Sequence, residues 1–309
     1  MSKWEEKRLE DIIDVNPPVK LKKGESYPFI DIDKVLPTRC SVTNEEVKVY
    51  DGQSSSKFCD SDTVFSRITP CLENRKIAKV AISSDAAFGS TEFYVFRAKK
   101  TKADARFTYY LTSSDAVVLP AINSMTGASG RQRADKRFIQ RLKLNLPDLP
   151  TQECIADILS AYDDLIEANN HTIELLGQTA QELYKEWFVR FRFPGYENTK
   201  FENRIPEGWN VVKLGDYVEI KGGKRLPEGQ TLCVEATEHP YIRIRDITAS
   251  KFISLTNSFE YIDNETFDII HRFTVNTNDI LISIVGTIGA IACVGKSLNG
   301  ANLTENCVK

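Results

Sequence analysis

Apolar residues recur with heptad spacing through the middle of the chain, between Pro150 and Pro194. One stripe repeats every seventh residue and a second follows it four residues later, which is typical of a helix that packs against another helix. The two stripes contain Ile155, Leu159, Tyr162, Ile166, Asn169, Ile173, Leu176, Ala180, Leu183 and Trp187. Pro150 suits a first helical turn, and Pro194 followed by Gly195 ends the pattern. The sequence therefore predicts one helix over residues 151–193, with a length of roughly 60 Å.

This helix requires a partner that the neighbouring sequence does not offer. The flanking segments have the short alternating patterns and turn residues of strands, so they supply no helices to cover the stripes. A core helix of a helical bundle is the alternative interpretation. The polar Asn169 within the stripes can fix the register of a helix pair. We expect the partner helix to come from elsewhere.

The segments on the two sides of the helix resemble each other, which indicates an internal duplication. The matches, in the same order in both halves, are WEEKRLEDI (4–12) with WNVVKLGDY (209–217), YPFIDIDKV (27–35) with HPYIRIRDI (239–247), DTVFSRITPCLENRKIAKV (62–80) with DILISIVGTIGAIACV (279–294), and GSTEFYVF (89–96) with NLTENCV (302–308). A complete second copy would extend to roughly residue 400. We therefore expect the second unit to lack its C-terminal part. We also expect the second long helix of the duplication to be absent from this sequence.

Composition and charge place the chain among ordinary globular proteins, with 41% hydrophobic and 27% charged residues. The sequence contains no apolar run of membrane-spanning length, and its charged start lacks a signal-peptide core, so we expect a cytoplasmic protein. Seven scattered cysteines and three separated histidines favour reduced thiols over disulfides or a zinc site. The net charge of −3 means that any binding of nucleic acid must use local basic patches.

The clearest basic patch lies in SMTGASGRQRADKRFIQRLK, residues 124–143. Arginine can clamp a phosphate or read guanine with two hydrogen bonds, and the glycines can bring backbone amides close to a phosphate. A solvated charged face that leads into a helix is the alternative. The candidate DNA-binding residues of this segment are Ser129, Arg131, Gln132, Arg133, Lys136 and Arg137.

Two shorter segments in the first half also have side chains suited to DNA bases. Asn74, Arg75 and Lys76 lie at a predicted turn between strands, where asparagine suits adenine and arginine suits guanine. A simple polar hairpin tip explains them equally well. Thr91 and Glu92 precede a predicted strand, and Glu92 can either accept from cytosine or orient a neighbouring arginine.

The second half has two further candidate pairs. Lys221 and Arg225 belong to a basic glycine-rich turn, KGGKR, that can hold a phosphate. Arg243 and Arg245 alternate with apolar residues, which predicts a strand with both arginines on one face. The pattern does not say whether that face meets DNA or solvent.

Together these segments resemble the specificity subunit of Type I restriction–modification systems. The segments WEEKRLEDI, FSRITPCLENRKIAKV, GSTEFYVFR, SMTGASGRQRADKRF and LPDLPTQECIADILSAYDDLIEANN occur in the family's order, and FVRFRFPGYENTKF looks like its junction into a second recognition domain. The resemblance implies an α+β protein with two target-recognition domains separated by a long coiled-coil-type helix. The expected boundaries are 1–150, 151–193 and 194–309, with the last domain C-terminally incomplete.

The resemblance also implies a non-catalytic role. Each domain would read one part of a bipartite site in double-stranded DNA, and the helix would dock modification subunits that methylate adenine with S-adenosylmethionine. A separate restriction subunit would translocate and cleave DNA. We expect no catalytic residue, metal or cofactor on this chain. The expected docking residues are Ile155, Leu159, Tyr162, Ile166, Asn169, Ile173, Leu176, Leu183 and Trp187.

Two other functions are weaker. A coiled-coil assembly adaptor with protein-binding flanking domains would explain the helix, but it has no need of the basic residues 131–143. A methyltransferase is suggested only by Asn16-Pro17-Pro18-Val19, where Val19 stands in place of the aromatic residue that stacks on a flipped base. No glycine-rich cofactor loop precedes that motif, and a turn explains it better.

Overall fold

The structure is a computed structural model that describes residues 4–43, 46–128 and 130–309. The chain divides into two compact units, Met1–Pro194 and Gly195–Lys309. No helix in the described part of the chain combines the length and apolar character needed to cross a membrane.

The first unit is a mixed α/β structure that ends in a long helix. Its strands are β1 (Glu5–Arg8), β2 (Ile13–Val15), β3 (Ser26–Ile30), β4 (Ser41–Thr43), β5 (Glu46–Val49), β6 (Ser56–Phe58), β7 (Thr63–Ser66), β8 (Ile77–Ala81), β9 (Ala87–Gly89), β10 (Phe93–Ala98) and β11 (Lys143–Leu146). Its α-helices are α1 (Leu9–Ile12), α2 (Ala105–Ser113), α3 (Asp115–Asn123), α4 (Lys136–Gln140) and α5 (Leu149–Tyr184).

Two sheets and a helical layer build the core of this unit. The strand orders are β2-β10-β7-β8-β4 and β5-β3-β9-β6, and β1 pairs separately with β11. One apolar cluster joins the five-stranded sheet to residues of α1, α3 and α4, and a second cluster joins that sheet to the four-stranded one. β3 and β9 approach so closely that a Cβ on Gly89 would lie 2.0 Å from the carbonyl oxygen of Ile30. Only glycine fits there, which explains the glycine of GSTEF.

The long helix is confirmed, with slightly different ends. α5 starts at Leu149, where the Asp148 carboxylate accepts a hydrogen bond from the Thr151 amide at 3.2 Å. After 36 α-helical residues it continues as a π-helical turn, Lys185–Val189. It stops short of residue 193 because Phe191 adopts a left-handed φ of 56°.

Only the N-terminal part of α5 packs within the first unit. Gln152 and Ala156 are buried there, and the Tyr110 hydroxyl donates to Asp163 at 2.6 Å. Further along, the stripe residues are exposed to solvent. The exposed apolar stripe residues are Leu159, Tyr162, Ile166, Ile173, Leu176 and Leu183. The described residues of the first unit thus leave most of the stripe uncovered, as the heptad pattern predicts.

The second unit contains shorter elements. Its strands are β12 (Phe201–Glu202), β13 (Ile205–Pro206), β14 (His239–Ile242), β15 (Phe252–Ile253), β16 (Glu260–Ile262), β17 (Ile280–Ser283), β18 (Ile291–Val294), β19 (Asn302–Leu303) and β20 (Cys307–Val308). Its α-helices are α6 (Ile244–Ala249) and α7 (Asn264–Ile270). The main sheets have the orders β16-β14-β19 and β15-β18-β17-β20.

Backbone hydrogen bonds confirm the internal duplication. The parallel pairs β3–β9 and β4–β8 correspond to β14–β19 and β15–β18. Just before β7, the amide of Ser61 donates to the carbonyl of Val80 at 2.9 Å. Just before β17, the amide of Asn278 donates to the carbonyl of Val294 at 2.8 Å. Ser61 and Asn278 also share a left-handed φ, of 65° and 71°. The two units therefore share a strand framework down to individual turns.

The same hydrogen bonds correct one sequence match by a single residue. The Ser90 amide donates to Ile30 and the Thr304 amide donates to Ile242, so Ser90 and Thr304 are equivalent. Glu92 therefore corresponds to Asn306, whereas the match of GSTEF with NLTEN aligned it with Glu305. The error matters because a one-residue slip moves a side chain to the opposite face of a strand.

The two units differ in the cover over one face of a sheet, which contains β7 and β8 in the first unit and β17 and β18 in the second. In the first unit Leu9, Phe65 and Ile77 are buried in the cluster that includes residues of α3, α4 and β11. Their counterparts in the second unit, Leu214, Ile282 and Ile291, are exposed. The described residues of the second unit supply no layer over this face.

Because this face of the sheet is covered in the first unit and exposed in the second, the same leucine-to-alanine substitution should cost different amounts of stability at equivalent positions. Leu9 is 0% exposed and its counterpart Leu214 is 69% exposed. We expect Leu9→Ala to destabilise its unit by about 2–5 kcal/mol through a lost core contact and a cavity. The matched variant Leu214→Ala should change stability by less than about 0.5 kcal/mol. Chemical unfolding of the two full-length variants measures both, and equal losses would contradict the exposed position of Leu214.

Candidate nucleic-acid interface

Three loops of the first unit meet beside the ends of β7 and β10. The amide of Thr69 donates to the carbonyl of Gln132 at 3.0 Å, and the amide of Ala134 donates to Arg67 at 2.8 Å. The amide of Arg67 in turn donates to the carbonyl of Glu92 at 2.9 Å. We call this place the basic edge and define it as Arg67, Glu92, Arg131, Gln132, Arg133, Lys136 and Arg137. Segments far apart in sequence therefore contribute to one surface.

Glu92 lies between two arginines of the basic edge. Arg133 donates from Nε to Oε2 at 2.9 Å and from Nη2 to Oε1 at 2.6 Å, so the contact is bidentate. Arg67 Nε donates to the same Oε2 at 3.3 Å. The hydrogen bond from Arg133 lowers the pKa of Glu92, although partial burial opposes this effect. Glu92 is thus held as a carboxylate.

Arg67 was not among the residues predicted from the sequence. Its guanidinium lies 5.4 Å from the ring centre of Tyr94, in a cation–π contact. The Tyr94 hydroxyl donates to the carbonyl of Ala134 at 2.7 Å. A lone arginine after a strand gives no local signal of this role, because its partners come from two distant loops.

Three cations of the basic edge are left without a carboxylate. The side chains of Arg131, Lys136 and Arg137 make no ion pair with any residue in the described ranges. The nearby Asp135 accepts from the Phe138 amide at 2.7 Å and so caps α4. Ser129 lies outside the described residues. The predicted basic patch therefore includes both paired and unpaired cations.

The side chains of Arg75 and Lys76 contact other segments of the first unit and not the basic edge. Arg75 donates to the carbonyl of Ser113 at 3.0 Å and pairs with Asp115. Lys76 Nζ donates to the carbonyl of Ile32 at 2.9 Å. These contacts fasten the turn between β7 and β8 to neighbouring segments. Of the shorter predicted sets, Asn74 and Thr91 remain exposed and Glu92 joins the basic edge.

In the second unit, the predicted strand through Arg243 and Arg245 is wrong. β14 stops at Ile242, and Arg243 is the N-cap of α6 because its amide donates to the Asp246 carboxylate at 2.8 Å. Both arginines nevertheless contact Glu260, with Arg245 Nη2 at 2.9 Å. The first turn of α6, and not a strand, therefore brings the two arginine side chains to the same carboxylate.

The other second-unit candidates lie on the KGGKR turn. Arg225 Nε donates to Glu305 Oε1 at 2.9 Å, and Lys221 pairs with Glu219 at 2.9 Å. A Cβ on Gly223 would lie 2.1 Å from the carbonyl oxygen of Thr304, so the turn packs tightly against the end of β19. An open groove is lined by residues that include Arg225, Tyr241, Arg243, Arg245, Glu260 and Glu305.

A family model covers most of the chain. Residues 1–178 and 206–307 match the model described as Type I restriction modification DNA specificity domain. The two matched segments include α1 to α4, the greater part of α5 and most of the second unit.

Individual relatives align with this chain over only part of their own length. The Type I restriction enzyme MjaIX specificity subunit of Methanocaldococcus jannaschii is 26% identical over 258 residues, which cover 79% of this chain and 58% of that protein. The HindI specificity subunit of Haemophilus influenzae is 30% identical over 198 residues, 62% of this chain and 42% of that protein. The chain thus spans about half the length of these relatives.

Among solved structures, the HsdS subunit from Thermoanaerobacter tengcongensis aligns with 99% of this chain and 74% of its own, at 17% identity and a TM-score of 0.45.

The contact of Glu92 with Arg133 predicts a pH-dependent coupling. Because Arg133 lowers the pKa of Glu92, the coupling is fully present above the ordinary carboxyl pKa and is lost as pH falls through the lowered one. A double-mutant cycle of Glu92→Gln and Arg133→Gln, followed by chemical unfolding at several pH values, measures it. A coupling that persists undiminished in acid would contradict the ionised pair.

Proposed function

The chain belongs to the family of Type I restriction modification DNA specificity domains, and we propose on that basis that it is a non-catalytic subunit that recognises DNA sequence. The observation that carries the proposal is the basic edge, where three distant loops place arginines on one surface of the first unit. An edge of this kind suits both phosphate contacts and contacts to base edges.

Phosphate contacts fall to Arg131, Lys136 and Arg137. Their charges have no carboxylate partner in the described part of the chain, so they remain available to phosphate. The whole chain carries a net charge of −3, and attraction to DNA therefore depends on this local set. In the proposal these residues set the register of the protein on the duplex.

Each unit reads one part of a split DNA site. The duplicated strand framework supports this, because equivalent turns occur in both units. In the second unit the arginines that contact Glu260 and Glu305 are the candidates for base contacts. Which bases they read depends on loops that differ between the two units.

The exposed stripe of α5 docks other proteins. α5 has 36 residues and extends about 54 Å, and the apolar stripe residues that it exposes between Leu159 and Leu183 are typical of a helix that has a partner. We propose that the partners are modification subunits, which bind S-adenosylmethionine and methylate adenine, and that a restriction subunit joins the same complex. This chain contributes recognition and assembly and binds no cofactor itself.

A coiled-coil assembly adaptor is the second candidate, and the same exposed stripe favours it. Such a protein does not require unpaired cations on one edge of its first unit. Binding to DNA that weakens with salt separates the two functions.

Removal of the unpaired cations should weaken DNA binding. We expect the triple variant Arg131→Ala, Lys136→Ala and Arg137→Ala to lower affinity for duplex DNA and to reduce the slope of log K against log salt by up to about 2.7. A control with the same charge loss, Lys20→Ala, Lys22→Ala and Lys23→Ala, changes exposed residues between β2 and β3. Fluorescence anisotropy at several salt concentrations measures both variants. Equal losses in the two would remove the assignment of phosphate contacts to the basic edge.

Charges placed on the stripe should abolish docking. We expect Ile173→Asp with Leu176→Asp to weaken binding of a modification subunit by more than tenfold, because the two carboxylates would be buried in an apolar helix interface. Ser160→Asp with Gln181→Asp introduces the same charges on the opposite face of the heptad. Co-elution with the modification subunit in size-exclusion chromatography measures the effect. Retention of the complex by the stripe variant would contradict the docking surface.

A further inference from the structure

Glu92 occupies only one side of the Arg133 guanidinium. It takes Nε and one hydrogen of Nη2, at 2.9 and 2.6 Å. A guanidinium has five N–H donors, so three remain, two on Nη1 and one on Nη2. None of these three has a partner among the residues that the structure describes. The open donors include the end-on pair formed by Nη1 and Nη2, and the side chain of Arg133 is 46% exposed.

We propose that Arg133 reads a guanine in the DNA major groove and that Glu92 is the positioning residue that orients it. Guanine presents O6 and N7 side by side as acceptors, and an arginine fork matches that pair with two hydrogen bonds. The inference rests on the proposed function in DNA recognition and names the base to which one residue responds.

The distribution of charge distinguishes this role from a phosphate contact. Glu92 neutralises much of the charge of Arg133, and its carboxylate would repel a nearby phosphate. Arg131, Lys136 and Arg137 have no such carboxylate and are better suited to phosphate. Glu92 thus weakens the attraction of Arg133 to the DNA backbone. The N–H donors of Arg133 that Glu92 does not use stay open for directional hydrogen bonds.

The alternative in which Glu92 itself reads cytosine fits the geometry less well. Its Oε1 accepts from Arg133, and its Oε2 accepts from both Arg133 and Arg67. The side chain of Glu92 is only 20% exposed. A cytosine amino group would have to displace these hydrogen bonds to charged donors, which are the stronger kind.

The surroundings hold the pair in place before DNA arrives. Arg133 exchanges backbone hydrogen bonds with Thr126 at 2.9 and 3.1 Å, and the adjacent Ala134 accepts from the Tyr94 hydroxyl. Arg67 supports Glu92 from the other side. A side chain already fixed in one orientation loses less conformational freedom on binding and discriminates better against a wrong base.

Binding-site selection from a library of randomised double-stranded DNA tests the proposal with the full-length chain. We expect Arg133→Lys, which keeps the charge but loses the fork, to reduce the preference for guanine at one position of the selected site by about tenfold. The slope of affinity with salt should stay unchanged. The matched control Arg39→Lys, at an exposed arginine outside the basic edge that also pairs with a glutamate, should leave the selected sequence as it is. Thermal unfolding checks that each variant is folded.

Glu92→Gln gives a result that a purely structural role would not. The preference for guanine should fall at the same position, because the ionised partner that orients Arg133 is lost. Affinity for unrelated DNA should rise, and its salt slope should steepen by about one, because Arg133 becomes an uncompensated cation. Glu92→Asp, which keeps the charge, should retain more of the guanine preference than Glu92→Gln.

Each outcome bears on one level of the interpretation. A guanine preference that is unchanged in Arg133→Lys, in a chain that still binds DNA with salt dependence, overturns the base reading and leaves the proposed function intact. A loss of affinity in Glu92→Gln for all sequences alike also overturns the positioning role. Failure of the unaltered chain to bind any DNA in the library overturns the proposed function together with the inference.

Discussion

In the first unit the burial of the five-stranded sheet and the geometry of the basic edge depend on the same chain segment. The chain segment that contributes α3 and α4 to the core over Phe65 and Ile77 also contains residues 124–135. Its backbone bonds to Arg67 and Thr69 bring Arg133 next to Glu92. Apolar burial, which is the largest favourable contribution to folding, therefore positions the polar surface as well.

The second unit shows the same framework with different edge residues. Arg67 and Glu92 are replaced there by Ile284 and Asn306, according to the backbone register. Its arginines instead contact Glu260 and Glu305, which come from different elements. The duplication thus conserves turns and strand pairing while the charged side chains change position. Two units built in this way share a strand framework and present different charged side chains beside it.

The sequence predicted the regular features well because they follow from local periodicity. The heptad stripes identified α5, and ordered matches identified the duplication. Features that depend on long-range pairing were missed or misplaced: Arg67 acquires its role only through Glu92 and Tyr94. The strand expected at Arg243 failed because Asp246 caps a helix start, a choice between two local structures that alternation alone does not settle. The assignments of individual DNA-binding residues remain predictions.

Charge in this protein is organised by pairing more than by amount. Acidic residues outnumber basic ones, 43 to 40, yet the basic edge leaves Arg131, Lys136 and Arg137 without carboxylates and gives Arg133 a carboxylate on one side only. An excess of unpaired cations would bind any DNA strongly, because phosphate contacts carry no sequence information. In the role proposed for Arg133, the Glu92 carboxylate would lower that background without removing the donors that would face the base. Specificity is a difference between affinities, so lowering the affinity for the wrong DNA serves recognition as well as raising it for the right one.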